Sequence, residues 1–316
     1  MGRIDEALRR TGGNQPPEEQ TRAVANPNVF ESPWSFDETG SHRAVTPPPA
    51  EAGGPPTEIP GPPALRPSEE NTIIAADPQM AVFRGFRKDF LDRLVIGSTI
   101  SPYMAEQYRR LAATLHHAQL VQGLKTILVT SAHAGDGKSL TATNLALTLS
   151  ESYRREVLLI DADLRRPSLH EIFDVPNVAG LNEGLKTEGD GRLSVIKVSG
   201  TLTLLPAGRP EPDPMGGLTS TRMRRIVEEA SSRFDWVIID TAPVGLLADA
   251  NILGAMADGA LMVIRAGKTP YAEVTKAIDA LGRERVLGVV LNGIDTPPKN
   301  EAEYRYYASN RKPDQG

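Results

Sequence analysis

Between residues 126 and 149 the chain reads TILVTSAHAGDGKSLTATNLALTL: an apolar strand-like run, a turn with two glycines, then helical spacing. That strand, loop, helix context turns a glycine motif into a phosphate-binding expectation. Gly135 and Gly137 let successive backbone N–H groups curl around phosphate oxygens, a helix opening at Ser139 aims its N-terminus at the charge, and Lys138 adds a cation. Asp136 and Leu140 belong to the same cradle, and Ser139 is the expected Mg²⁺ ligand. The strict spacing G-x-x-x-x-G-K-[ST] wants glycine at 132, where this chain has Ala132. The match is therefore a variant, and taken alone the segment also reads as a surface turn.

Two further apolar runs end in acid, LLIDADLRRP and FDWVIIDTAPVG. They put Asp161, Asp163 and Asp240 at strand ends, where an open parallel sheet binds its ligands. Each aspartate alone reads as a turn residue or helix cap. Beside a phosphate loop, the three are expected to converge as a metal and general-base cluster, since Mg²⁺ prefers carboxylate and water oxygens.

The elements that must position these residues follow from pattern. Short apolar runs predict strands at Thr126–Thr130, Val157–Ile160, Leu202–Leu205, Trp236–Ile239, Ala260–Ile264 and Val286–Leu291. Helical spacing predicts Pro102–Leu120, Ser139–Tyr153, Leu218–Ser232, Leu246–Met256 and Tyr271–Arg283, long enough for right-handed crossovers. The fold expected is an α/β, doubly wound, mostly parallel sheet of the P-loop NTPase kind, spanning residues 72–297. Residues 1–13 hold a short helix at Ile4–Arg10. Residues 14–71 are rich in Pro, Gly and Glu and read as a disordered linker. Residues 298–316 form a polar tail.

Composition excludes several classes. A net charge of -5 offers no global basic excess, so no specific nucleic acid is expected as partner. The absence of cysteine rules out disulfide frameworks, cysteine nucleophiles and iron–sulfur clusters. No stretch approaches the roughly 20 apolar residues of a membrane span, and the polar start is no signal peptide. A cytoplasmic protein is expected.

With these motifs, residues 95–310 resemble the bacterial tyrosine kinases that regulate capsule and exopolysaccharide export, the BY-kinases. The variant Walker A loop is matched by Ser131–Ser139. The D-x-D-x-R motif is matched by Asp161, Asp163 and Arg165, and the Walker B motif by Val237–Pro243. The terminal tyrosine cluster is matched by Tyr304, Tyr306 and Tyr307. The resemblance implies ATP and Mg²⁺ as cofactors and transfer to those tyrosines. Lys138, Asp161, Asp163 and Asp240 would be the catalytic residues, and Ser139, Asp161 and Asp240 would hold the metal, directly or through water. Asn292 would contact adenine. A tyrosine phenol has a pKa near 10 and profits from a proton acceptor, Asp163 or Asp161. The partners implied are a second copy of the chain and a separate membrane-bound polysaccharide co-polymerase that activates the kinase and holds it at the inner face of the membrane.

Two departures stand out. The ring-assembly motif E-x-x-R-x-x-R is matched at Glu106 and Arg109, but its second arginine is Ala112, and the chain lacks a membrane-spanning activator segment. Two other readings stay open. One is a partition- or division-type dimerising ATPase, although the lysine expected early in its P-loop is His133 here. The other is a catalytically idle, nucleotide-gated scaffold of an export complex.

Overall fold

A computed structural model describes residues 73–76, 82–97, 100–187, 191–245 and 248–294. The expected N-terminal helix, the linker and the tyrosine tail lie outside these residues.

Among the described residues eight strands make one sheet: β1 Ile74–Ala76, β2 Thr126–Ser131, β3 Val157–Asp161, β4 Leu193–Lys197, β5 Leu202–Leu205, β6 Trp236–Asp240, β7 Gly259–Arg265 and β8 Val286–Asn292. Their order across the sheet is β1-β4-β5-β3-β6-β2-β7-β8. Every pairing is parallel except β4 with β5. The six expected strands are all present. β1 and β4, which apolar run length did not reveal, lie together at one margin.

β2, β3 and β6 are buried at every position because helices cover both faces. Successive residues alternate between the two cores. Ile127 and Val129 face one, shared with Leu159, Trp236 and Ile238, while Leu128 faces the other, shared with Leu158, Val237 and Ile239. The first core is closed by α2 (Pro102–Gln122) and α3 (Lys138–Leu147), and the second by α7 (Thr221–Arg233), α8 (Asp249–Gly254) and α9 (Tyr271–Leu281). The short helices α1 (Lys88–Leu91), α4 (Leu169–Ile172), α5 (Leu181–Lys186) and α6 (Met215–Leu218) fill the connections.

Helix limits have local causes. α2 starts on Pro102, whose missing N–H is harmless at N1, and stops at Gly123 with φ 73°. α3 runs on through a widened π turn, Thr148–Ser152, so the expected helix to Tyr153 is present in two geometries. The helix expected from Leu218 is two: α6 ends there, and α7 restarts where Ser220 Oγ accepts from Met223 N–H at 3.1 Å. α8 is shorter than its expected span, whose first residues, Leu246 and Leu247, lie outside the described set.

Candidate functional site

The site is built at the carboxyl ends of β2, β3 and β6. Leaving β2, the chain turns through Gly135 (φ 86°) and Gly137 (φ 97°) into α3. Both angles fall where glycine alone carries no Cβ penalty. At Gly137 the space is closed as well, since a Cβ would sit 1.9 Å from Asn292 Nδ2.

Asp136, buried to 4% exposure, braces this loop. Its Oδ2 accepts from His133 N–H at 3.0 Å and its Oδ1 from the Thr269 hydroxyl at 2.8 Å. Asn292 Nδ2 donates to the Asp136 carbonyl at 2.8 Å, and Arg265 donates to the Gly135 carbonyl at 3.1 Å. Asp136 and Asn292 therefore hold the loop's shape, and in this arrangement the Asn292 amide is engaged on the loop. Leu140 is half-buried against the first core. Thr269 and Arg265 escaped the sequence reading. They lie on and just beyond β7, more than 120 residues from the loop they brace, with no motif to mark them.

Lys138 is buried, and its ammonium donates to Asp163 Oδ2 at 2.8 Å and lies 3.8 Å from Asp240 Oδ1. Burial pulls its pKa down, but Asp240 and Asp163 together outweigh this and raise it. The three aspartates thus gather around an ammonium. Among the described residues no three Asp, Glu or His side chains form a metal cluster by themselves.

Asp161 and Asp240 are register partners on β3 and β6, and both are fully buried. Asp161 Oδ2 accepts from the backbone N–H groups of Ser168 and Leu169 at 3.0 and 2.9 Å. Burial, then repulsion from Asp240, raises Asp161 to about 7 despite those bonds. Burial raises Asp240 to about 6, opposed by Lys138 and the nearby Ser139 hydroxyl. Neither oxygen of Asp240 has a hydrogen-bond partner of proper geometry. Native interiors rarely leave such groups unanswered unless water, an ion or function explains them.

These residues fit Mg²⁺. Asp240 offers two oxygens outside any hydrogen bond, Ser139 a hydroxyl bonded to Ser168 Oγ at 2.8 Å, and Asp161 a second carboxylate. Two carboxylates and a hydroxyl suit a cation that keeps several waters and takes phosphate oxygens as its remaining ligands.

Arg165, the arginine after the aspartate pair, turns away from the phosphate loop. Its Nε donates to Asp249 Oδ2 at 2.9 Å and another nitrogen to the Pro212 carbonyl, tying three loops of this edge together. Glu106 and Arg109 form an exposed pair at 3.4 Å, while Ala112 is fully buried. Tyr304, Tyr306 and Tyr307 lie outside the described residues.

Comparison with known proteins finds relatives of the same fold. The family model described as ParA, NUBPL iron-transfer P-loop NTPase, matches residues 123–311. With no cysteine, these 316 residues lack the thiolates that an iron–sulfur cargo takes. Tyrosine-protein kinase YwqD of Bacillus subtilis is 37% identical over 208 residues, 65% of this chain and 86% of that protein. Putative tyrosine-protein kinase CapB of Staphylococcus aureus is 31% identical over 66% of this chain and 96% of its own length. The solved kinase domain of the Escherichia coli tyrosine kinase ETK superposes with a TM-score of 0.56 at 32% identity, covering 60% of this chain and 75% of that one.

Proposed function

The chain belongs to the bacterial tyrosine-protein kinases, on the ParA-type P-loop NTPase fold, and from that premise we propose the following reaction. ATP with Mg²⁺ is the phosphoryl donor, the terminal tyrosines Tyr304, Tyr306 and Tyr307 are the acceptors, and the outcome regulates capsule or exopolysaccharide synthesis or export. What carries the reading is Asp240, fully buried with neither oxygen in a hydrogen bond and only the Lys138 ammonium at 3.8 Å to answer its charge, at the mouth of a glycine loop. A buried carboxylate of that kind suits a phosphate-bound cation.

The loop N–H groups at 135–139 bind the β- and γ-phosphates, and Lys138 leaves Asp163 to neutralise charge that spreads over the γ-phosphoryl oxygens. Ser139, Asp240 and, through water, Asp161 would hold Mg²⁺, which supplies further neutralisation. Phosphoryl transfer is loose, so placement and charge count for more than base strength. Asp163, freed of Lys138, is the group placed to take the phenolic proton; Asp161 is the alternative. Each tail enters a neighbour's site, an arrangement that tether length does not impose, since Asn292 lies on the phosphate loop and the 12 residues from it to Tyr304 reach about 40 Å when extended. Phosphorylation then adds about -1.5 to -2 charge per tyrosine beside Glu301 and Glu303, which drives the tail out. A membrane-bound co-polymerase is the proposed activator and would hold the kinase at the inner face of the membrane. Among the described residues no helix is long and apolar enough to cross one.

The test is incubation of the purified full chain with ATP and Mg²⁺, then mapping by mass spectrometry. Phosphotyrosine is expected at 304–307, absent in Lys138→Met and in the triple Tyr304/Tyr306/Tyr307→Phe variant. No phosphotyrosine, even with the co-polymerase's cytosolic segment added, returns the idle scaffold; ATP-dependent DNA binding returns the partition-type reading.

A further inference from the structure

Building on the kinase reading above, we propose that Arg166 and Arg209 form an acceptor-recognition rim. It selects a tyrosine preceded by carboxylates one and three residues earlier, as Glu303 and Glu301 precede Tyr304.

Both arginines have fixed backbones and uncommitted heads. The Arg166 N–H donates to Asp163 Oδ1 at 3.1 Å, which seats the residue beside the candidate base. The Arg209 N–H donates to Glu183 Oε1 at 3.1 Å, and its carbonyl accepts from Asn182 Nδ2 at 2.8 Å. Each side chain is exposed, and neither guanidinium is paired with a carboxylate among the described residues. Neighbouring charges are answered: Arg165 by Asp249, and Lys186 by Glu211. Asp213, on the same loop as Arg209, lies in the field of Arg165.

The two arginines share one rim because their loops run side by side. Arg166 follows β3 and Arg209 follows β5, and these strands are neighbours, with Ile160 opposite Leu205. Glu211 N–H donates to the Leu164 carbonyl at 2.8 Å, and Arg165 donates to the Pro212 carbonyl, so the loops are stitched together beyond the sheet. Adjacent strands stand about 4.8 Å apart, and in an extended peptide the residues one and three positions before the phenol share one edge, about 6.6 Å from each other, while the phenol points from the opposite edge. Two long guanidinium side chains on neighbouring loops are suited to flank that edge, where Glu303 and Glu301 lie when Tyr304 is directed at Asp163. The fork is also the donor geometry that carboxylates accept in pairs.

The test uses the full chain carrying Tyr304→Phe, Tyr306→Phe and Tyr307→Phe, so that only an added peptide accepts. One peptide has the sequence of residues 299–309, and a second has Gln for Glu301 and Glu303. The glutamine peptide should lose about tenfold in kcat/KM, mostly through KM, for two rim-exposed pairs. Arg166→Gln with Arg209→Gln should lose the same factor on the glutamate peptide and become indifferent to the change, with the KM for ATP within about twofold of its parent. Arg166→Glu with Arg209→Glu should recover transfer on a peptide bearing Lys at both acidic positions. A glutamate preference that survives unchanged in the glutamine variant, or no preference in the parent, overturns this inference alone. Absence of phosphotyrosine on every peptide while ATP still binds overturns the kinase reading with it.

Discussion

At the residue scale, the unusual group is the pair Asp161 and Asp240, set side by side with one ammonium to share among three carboxylates. Both carboxyls are raised from an ordinary value of 3.8, to about 7 and about 6. Between about pH 4 and pH 7 the native protein therefore holds protons that the unfolded chain has released. Linkage then makes stability fall as pH rises through that window. The nucleotide- and metal-free full chain should melt at a higher temperature at pH 5 than at pH 7.5, and Asp240→Asn should flatten the difference by removing one charge and relieving Asp161. A melting temperature that climbs from pH 5 to pH 7.5 identically in both proteins would show that the two carboxyls ionise without strain. The aspartates were readable in the sequence because they end apolar runs. Their crowding around Lys138 was not, because it depends on β3 and β6 being neighbours in register.

At the element scale, the phosphate loop is a β2–α3 turn held by residues from the next two strands of the sheet, β7 and β8. Asn292, ending β8, donates to the Asp136 carbonyl and occupies the space a Cβ on Gly137 would need. Asn292→Ala should weaken ATP binding about fivefold, the worth of one hydrogen bond of about 1 kcal/mol. Gly137→Ala should weaken it far more, since it adds left-handed strain of about 1–2 kcal/mol to the clash. Because the clash needs both side chains, the double variant should lose less than the sum, a coupling that isothermal titration can read directly. Strict additivity would mean that Asn292 does not touch the loop in solution. Five strands were legible because strands buried on both faces are continuous apolar runs, and half-buried β8 was legible from its own valine- and leucine-rich run, Val286–Leu291. β1 has three residues and β4 alternates as Leu193-Ser194-Val195-Ile196-Lys197, so neither carries that pattern. The split of α6 from α7 rests on the Ser220 cap, which apolar spacing overruns.

At the scale of the whole molecule, the question is how copies meet, and α2 bears on it. One stripe of this helix, Tyr108, Ala112, Leu115 and Ala118, is buried, and Ala112 and Leu115 contribute to the first core with Ile127 and Leu145. Glu106 and Arg109 stand on the exposed side and pair with each other, with Arg110 within 3.9 Å of the same glutamate. The residue that departs from the ring-assembly pattern is thus a core residue in this fold. An alanine there lets α2 lie close on α3 and the π turn that continues it, and a guanidinium would need either a buried charge or a displaced helix. Ala112→Arg should therefore destabilise the full chain by about 3 kcal/mol, the low end for an uncompensated buried charge. For a domain of this size that lowers the melting temperature by roughly 10 °C. Sedimentation on the same samples separates the alternatives. A destabilised protein with unchanged association means that position 112 is a packing site and that assembly, if it uses α2, depends on Glu106, Arg109 and Arg110. A protein within about 2 °C of its parent that forms larger species would mean that α2 can rotate outward to present residue 112 to a neighbour, against the burial seen here.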